Sequence, residues 1–245
     1  MIRKKICLIF GGVSVEHEIS IISANSILNN IDRKTFNIQG LYLNKNGDFQ
    51  ICEIKEKDCK IFFKPIKSKV FFSLNKKNNV VIERNKKRNS MKIDIFFPII
   101  HGTGGEDGSI QGFLKTLDVP FVGCDVLSSA MTMDKIITKT ILISHGVRTA
   151  NFIEIKKEDK ENIVKKIKDI DFPCFIKAAN LGSSVGVFKV KEKSQLKRTI
   201  NKCFQFSNKI FVEEAINDCI EVEVSILGND KIHISTPGDV LPSSE

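Results

Sequence analysis

The apolar run Ile93-Asp94-Ile95-Phe96-Phe97-Pro98-Ile99-Ile100 leads directly into His101-Gly102-Thr103-Gly104-Gly105-Glu106-Asp107-Gly108-Ser109-Ile110-Gln111-Gly112. The run reads as a buried strand, and residues 109–117 read as a helix. A strand that passes through a Gly-rich turn into a helix is the building unit of an open α/β sheet. The turn holds one histidine, two acids and five glycines within twelve residues. Glycine allows positive φ and close approach of backbone to a ligand, and a helix N-terminus favours negative charge. The histidine and the acids are thus displayed at the carboxyl end of a strand, where open α/β sheets bind their ligands.

The preceding residues repeat this alternation. Residues 4–10 read as a strand and 18–30 as a helix, with Ile19, Ile22, Ile27 and Ile31 near helical spacing. Residues 36–43 read as a second strand and 120–122 as a short one, giving an N-terminal α/β unit around a parallel sheet. Residues 44–92 are polar and Lys-rich, and 76–92 read as a solvated hairpin or loop. Beyond Gly123 the pattern becomes α+β. Helices are expected at 134–144, 160–168 and 195–206, and strands at 152–155, 174–177, 185–190 and 209–214. Residues 221–227 alternate acid and apolar residues, as a half-buried antiparallel strand does. The expected organisation is α/β over 1–123, then α+β over 124–212, with a third unit beginning at 213–245.

Composition narrows the function classes. The chain has 245 residues, 42% hydrophobic and 27% charged, as soluble globular proteins do. No apolar run approaches the roughly 18 residues that span a bilayer, so no membrane partner is expected. The apolar stretch at 6–10 stops at Gly11, too short for the core of a signal peptide, and reads better as a first strand. Seven cysteines without a C-x-x-C pair point to reduced thiols in the cytoplasm. The net charge of +9 is spread through every segment, with one Tyr and no Trp to stack on bases, so no nucleic acid is expected as a partner.

Several residues could carry chemistry. Gly182-Ser183-Ser184-Val185-Gly186 lies between two expected strands. Its backbone N–H groups could form an anion nest with the serine hydroxyls, but a plain hairpin turn fits equally well. It lacks the Gly-Lys-Ser/Thr ending of a Walker loop. Lys177 closes an apolar strand and needs an anionic partner, for which phosphate or a carboxylate would serve. Lys135, on its own, reads as an exposed helix lysine. Glu16 follows Gly11-Gly12 at the end of the first strand, where a carboxylate can pair with an ammonium group or favour a helix N-terminus. Glu106 and Asp107 read as residues that order the Gly-rich turn, and His17 as helix-start structure.

Three stretches together resemble the D-alanine–D-alanine ligases of the ATP-grasp class. They are Phe10 to Ser20, His101 to Gly112, and Lys177-Ala178-Ala179-Asn180-Leu181-Gly182-Ser183-Ser184-Val185-Gly186-Val187, in the family's order and spacing. The resemblance implies an ATP-dependent carboxylate–amine ligase that joins two D-alanines through an acylphosphate for cell-wall synthesis. It implies ATP and magnesium or manganese, a homodimer and a cytoplasmic location. It assigns Lys135 and Lys177 to nucleotide phosphate, with Ser183 and Ser184 in the loop that closes over the terminal phosphate. Glu213 and Glu221 would hold adenine and ribose. The turn Asn217-Asp218-Cys219-Ile220 departs from the family's shorter Gly-containing turn, which shifts the ribose contact by a residue or two. Glu16 would take the amino group of the first D-alanine, Ser183 would bond that glutamate, and His101 would stand beside the substrate.

On the same resemblance the family extends well past the equivalent of Glu245. That further part would hold the metal ligands and much of the second D-alanine subsite. No metal ligand is therefore expected among these residues, which by themselves should release no phosphate from ATP in response to D-alanine. A D-alanine–D-lactate type of ligase and a non-catalytic nucleotide-binding fragment are the alternative readings.

Overall fold

The computed structural model describes residues 3–74, 80–161 and 163–240. β1 (Lys4–Gly11) forms the heart of the first sheet, and its residues from Ile6 onward are buried. A parallel strand covered on both faces reads as a continuous apolar run, as this one does. α1 (His17–Asn30) buries Ser20, Ala24 and Leu28, four residues apart, and crosses to β2 (Phe36–Leu43), which lies parallel to β1. β3 (Phe49–Lys57) and β4 (Lys60–Pro65) then add antiparallel strands to the outer edge. β5 (Lys69–Phe72), β6 (Val80–Arg84) and β7 (Lys87–Met91) make a separate antiparallel sheet. β8 (Ile95–Pro98) returns to pair parallel with the other side of β1, giving the order β4-β3-β2-β1-β8. α2 (Ser109–Thr116) and α3 (Val126–Met133) follow.

Three expectations change here. The sheet is mixed, because its parallel strands β2-β1-β8 carry the antiparallel pair β3-β4. The polar stretch is strand-rich and only partly solvated. Val80 and Ile82 are buried with Val70 and Phe72 against the core, while β7 is largely exposed; residues 76–79 of the expected hairpin lie outside the described residues. The Lys and Asn content hid a period-two pattern in which only one face is apolar. The short strand expected at 120–122 is a single bridge between Phe96 and Phe121.

α4 (Lys135–Ser144) opens the second unit and is capped by Asp134, whose Oδ1 accepts from the N–H groups of Ile136 and Ile137 at 3.1 Å each. Next come β9 (Phe152–Ile155), a 3-10 turn at Lys157–Glu161 and the single helical turn α5 (Ile163–Lys166). The charged helix expected at 160–168 is thus much shorter, and its residue 162 lies outside the described residues. β10 (Cys174–Ala178), β11 (Val187–Val190), α6 (Leu196–Cys203) and β12 (Ile210–Glu214) complete an antiparallel sheet of order β11-β10-β12-β9. One face packs Ile155, Ile176 and Val212 against Leu196, Ile200 and Cys203 of α6. The other packs Phe152 and Phe211 against Ile136 of α4. β12 runs unbroken through the expected 212/213 division, so Glu213 and Glu214 belong to this sheet.

The last strands are β13 (Glu221–Glu223), β14 (Ile226–Leu227), β15 (His233–Ile234) and β16 (Gly238–Val240), paired β13-β16 and β14-β15. The half-buried strand expected at 221–227 is exposed instead, with Ile226 and Leu227 at 68% and 76%. Among the described residues no further layer covers these two ladders, so the apolar half of the alternation faces solvent.

Burial divides the seven cysteines. Cys7, Cys52, Cys174 and Cys203 are buried, and Cys59, Cys124 and Cys219 are exposed. Burial pushes the Cys52 thiol up to about 12 and those of Cys174 and Cys203 to about 11. Iodoacetamide on the folded protein at about pH 8 is expected to label the three exposed thiols and spare the four buried ones. Peptide mass mapping reads the outcome, and prompt labelling of Cys7 or Cys203 would contradict this packing.

Candidate active site

The Gly-rich turn after β8 lies against the turn after β1. Ser14 Oγ donates to the carbonyl of His101 at 2.7 Å, and the Glu16 N–H donates to Ser14 Oγ at 3.2 Å. His101 Nε2 meets Ser23 Oγ of α1 at 2.9 Å, and its Nδ1 lies 3.5 Å from Glu106. Glu106 and Asp107 order the turn as expected, accepting from the N–H groups of Gly102 and Gly104 at 3.1 and 2.8 Å. Burial pushes the Asp107 carboxyl upward, but the donors on Gly104 and Ser109 outweigh it and hold the group below the usual range. His17 is buried helix-start structure, its ring nitrogens on the Gly12 carbonyl and Tyr42 Oη. A cavity of about 470 Å³ opens beside His101, with Glu106, Gln111, Thr132 and Met133 among its walls.

The serine loop between β10 and β11 reaches this turn from the second unit. Ser183 and Ser184 stand at φ 46° and 60°, and Gly186 at 72°. Left-handed backbone at two consecutive non-glycine residues is costly and is held by the surrounding fold. Ser183 Oγ donates to Glu16 Oε1 at 2.5 Å, tying residues 167 positions apart. Gly102 and Gly182 make room for that carboxylate. A methyl group at Gly102 would stand 2.2 Å from Glu16 Oε2, and one at Gly182 3.4 Å.

The lysines converge behind the loop. Lys135 Nζ donates to the Leu181 carbonyl at 2.5 Å, just before Gly182. Burial first, and the Lys177 charge second, hold the Lys135 ammonium below the usual lysine value. The Asp134 and Glu213 carboxylates oppose that lowering without cancelling it. Lys177 itself bonds Glu213 Oε2. Glu213 is only 6% exposed, and its Oε1 is 2.5 Å from Lys139 Nζ.

The structure therefore brings Glu16, Ser183 and His101 together at the junction of the two units, and Lys135, Lys177 and Glu213 along the second sheet. Glu221 lies apart on β13, exposed and without a side-chain hydrogen bond or ion pair among the described residues; Ser184 also makes no side-chain bond there. Sequence reasoning missed Lys139, although it stands one helical turn after Lys135 on the same face. It also missed Ser23, and it missed Lys209, which pairs with the Asp134 cap at 2.6 Å. Among the described residues no three His, Cys, Asp or Glu side chains are placed to hold a metal ion.

A mixed sheet met by the serine loop of an antiparallel sheet, with lysines gathered behind that loop's strands, is the ATP-grasp arrangement of a carboxylate–amine ligase. Sequence profiles described as D-ala D-ala ligase N-terminus and C-terminus match residues 5–124 and 141–245. The D-alanine–D-alanine ligase of Caldicellulosiruptor bescii is 36% identical over 251 residues, covering 100% of this chain and 69% of its own length. The VanG D-Ala:D-Ser ligase of Enterococcus faecalis superposes with a TM-score of 0.84 at 30% identity, over 97% of this chain and 70% of that one. The D-alanine–D-alanine ligase of Coxiella burnetii gives 0.83 at 29% identity, over 98% and 69%. The chain belongs to the D-alanine–D-alanine ligase family.

Gly102 tests the junction. Its φ of +71° strains any other residue, and an added methyl would press on the Glu16 carboxylate whose other oxygen Ser183 bonds. Gly102→Ala is expected to cost about 1–3 kcal/mol. Urea denaturation measures it, and an unchanged midpoint would mean that the turn relaxes freely.

Proposed function

We propose that this chain serves the ATP-dependent joining of two D-alanines into D-alanyl-D-alanine, a precursor of the bacterial cell wall. The observation that carries the reading is a serine loop bonded at its tip to Glu16 and at its base to Lys135, whose ammonium feels the nearby charge of Lys177. Phosphoryl transfer is largely a matter of positioning and of neutralising charge. On this reading Lys135, Lys177 and the Ser183–Ser184 loop hold the phosphates. A carboxylate oxygen of the first D-alanine attacks the terminal phosphorus, and ADP leaves. The amine of the second D-alanine attacks the resulting acylphosphate carbonyl, loses a proton and expels phosphate. Glu16 holds the ammonium of the first D-alanine, His101 stands beside it, Glu213 faces adenine and Glu221 the ribose.

The bond between Ser183 and Glu16 gives this assignment a physical sense. It couples the loop over the phosphate to the residue that orients the substrate, so the two reactants are positioned by one contact. A divalent metal, magnesium or manganese, belongs to the same reading; no step is assigned to it, because the described residues offer it no ligand cluster. The reading also includes a homodimer in the cytoplasm. Its organisation is an N-terminal substrate unit ending near Gly123, a central nucleotide unit, and a further unit that starts after β12. The similarity to a D-Ala:D-Ser ligase leaves the second substrate to be decided by assay with D-alanine, D-serine and D-lactate.

Lys177→Ala is expected to weaken ATP binding by about 1.5–3 kcal/mol, the scale of a hydrogen bond to a charged group. Titration calorimetry of both forms decides it, and equal affinities would remove Lys177 from the phosphate site. Where D-alanine-dependent phosphate release is measured, Glu16→Gln keeps the shape but removes the charge. The KM for the first D-alanine should rise while ATP affinity stays nearly constant; an unchanged D-alanine dependence would reduce Glu16 to a helix-start acid.

A further inference from the structure

Glu213 is a carboxylate at 6% exposure with a lysine on each oxygen, Lys177 on Oε2 and Lys139 on Oε1. The strand register explains the arrangement. Glu213 of β12 lies opposite Phe175 of β10 on one side and Phe152 of β9 on the other. Lys177, two residues along from Phe175, shares their face and reaches Glu213 on the diagonal. Lys139 comes down from α4, its Nζ 5.5 Å from the centre of the Phe152 ring and 3.2 Å from the Ala150 carbonyl. The two lysines differ in surroundings. Lys139 is 16% exposed and closed in by sheet and helix, and Lys177 is 25% exposed.

A single lysine could not serve both Glu213 and a phosphate. If Lys177 turned to an arriving anion, a buried carboxylate with no other partner would be left unpaired, and that is strongly unfavourable. We propose that Lys139 is a positioning residue: it stays on Glu213 as the permanent counter-ion and thereby releases Lys177 to nucleotide phosphate. This rests on the reading of Lys177 as a phosphate ligand. The site holds its charge in two layers. Lys139 and Glu213 form an inner pair that persists, and Lys135 and Lys177 form an outer pair of cations that the anion takes up. Oε2 of Glu213, vacated by Lys177, becomes free to accept from the adenine amino group. Lys139 itself touches no substrate.

The proposal predicts a coupling that a packing role for Lys139 would not produce. Inorganic tripolyphosphate serves as a probe that lacks adenine, titrated by calorimetry into the full 245-residue chain and its variants. Lys139→Met should weaken binding about tenfold, because Glu213 then holds Lys177 alone. Lys139→Arg should keep most of the affinity. Adding Glu213→Gln to Lys139→Met should restore it, since a neutral partner no longer competes for Lys177. Lys139→Gln replaces the Met variant if that fails to fold. Wild-type affinity in Lys139→Met, or a double variant as weak as the single one, would overturn the proposal. Lys177→Met separates the two readings. If it binds tripolyphosphate as the wild type does, or if the wild type binds none, the phosphate site itself falls and this proposal with it. If it binds weakly while Lys139→Met is unaffected, only the positioning role falls.

Discussion

The second unit is organised around a buried negative charge. A carboxylate at the exposure of Glu213 must be paired, since an unpaired one would neutralise or unfold its surroundings. Its partners come from two directions, one along the sheet and one from the helix laid across it. That requirement fixes how far α4 lies along the sheet, because Lys139 must reach Glu213 while Ile136 packs on Phe211. It also fixes where the helix begins. Asp134 caps the first turn and is itself held by Lys209, at the foot of β12. One strand thus anchors the helix at both ends of its charged face, through Lys209–Asp134 and Glu213–Lys139.

The junction between the units depends on backbone that most residues would not adopt. Ser183 and Ser184 are left-handed without being glycine, and the cost is borne by a rigid hairpin on either side. What the conformation gains is direction: the Ser183 hydroxyl reaches Glu16, at the start of α1 in the other unit. On the facing side Gly102 yields the space that the carboxylate needs. Glycine at one wall and strained serine at the other are two halves of one contact.

Much of this was legible in the residues. β1, α1, β2, β10 and α4 fall within a residue or so of their expected limits; the strands are strongly apolar and α4 has a capping acid, whereas α1 was marked by isoleucines of which Ile19 and Ile22 prove exposed, its buried face being His17, Ser20, Ala24 and Leu28. The Glu16–Ser183 contact followed from family resemblance and not from periodicity, since nothing local in either stretch names the other. The strands between 49 and 91 were obscured by lysines and asparagines on their outward faces, where composition outweighs alternation. α3 was missed although Asp125 precedes it and its side chain accepts from the Val126 N–H. The strand at 221–227 was read correctly as alternating and wrongly as half-buried. Alternation reports which residues share a face, not whether a second layer covers that face.

Lys139 is the instructive omission, because its signal lay in elementary helix electrostatics. Lys135 and Lys139 stand four residues apart at the beginning of α4. Like charges at that spacing oppose a helix, and cations near an N-terminus oppose its dipole as well. One acidic cap, already claimed by Lys209, does not offset both. Two lysines so placed imply anions from outside the helix. One is present in the fold as Glu213. The other lysine donates to a neutral carbonyl beside the serine loop, and its ammonium is destabilised by burial and by Lys177. That residual imbalance, left although the Asp134 and Glu213 charges partly offset it, is what supports the proposed reading in which a phosphate completes the site.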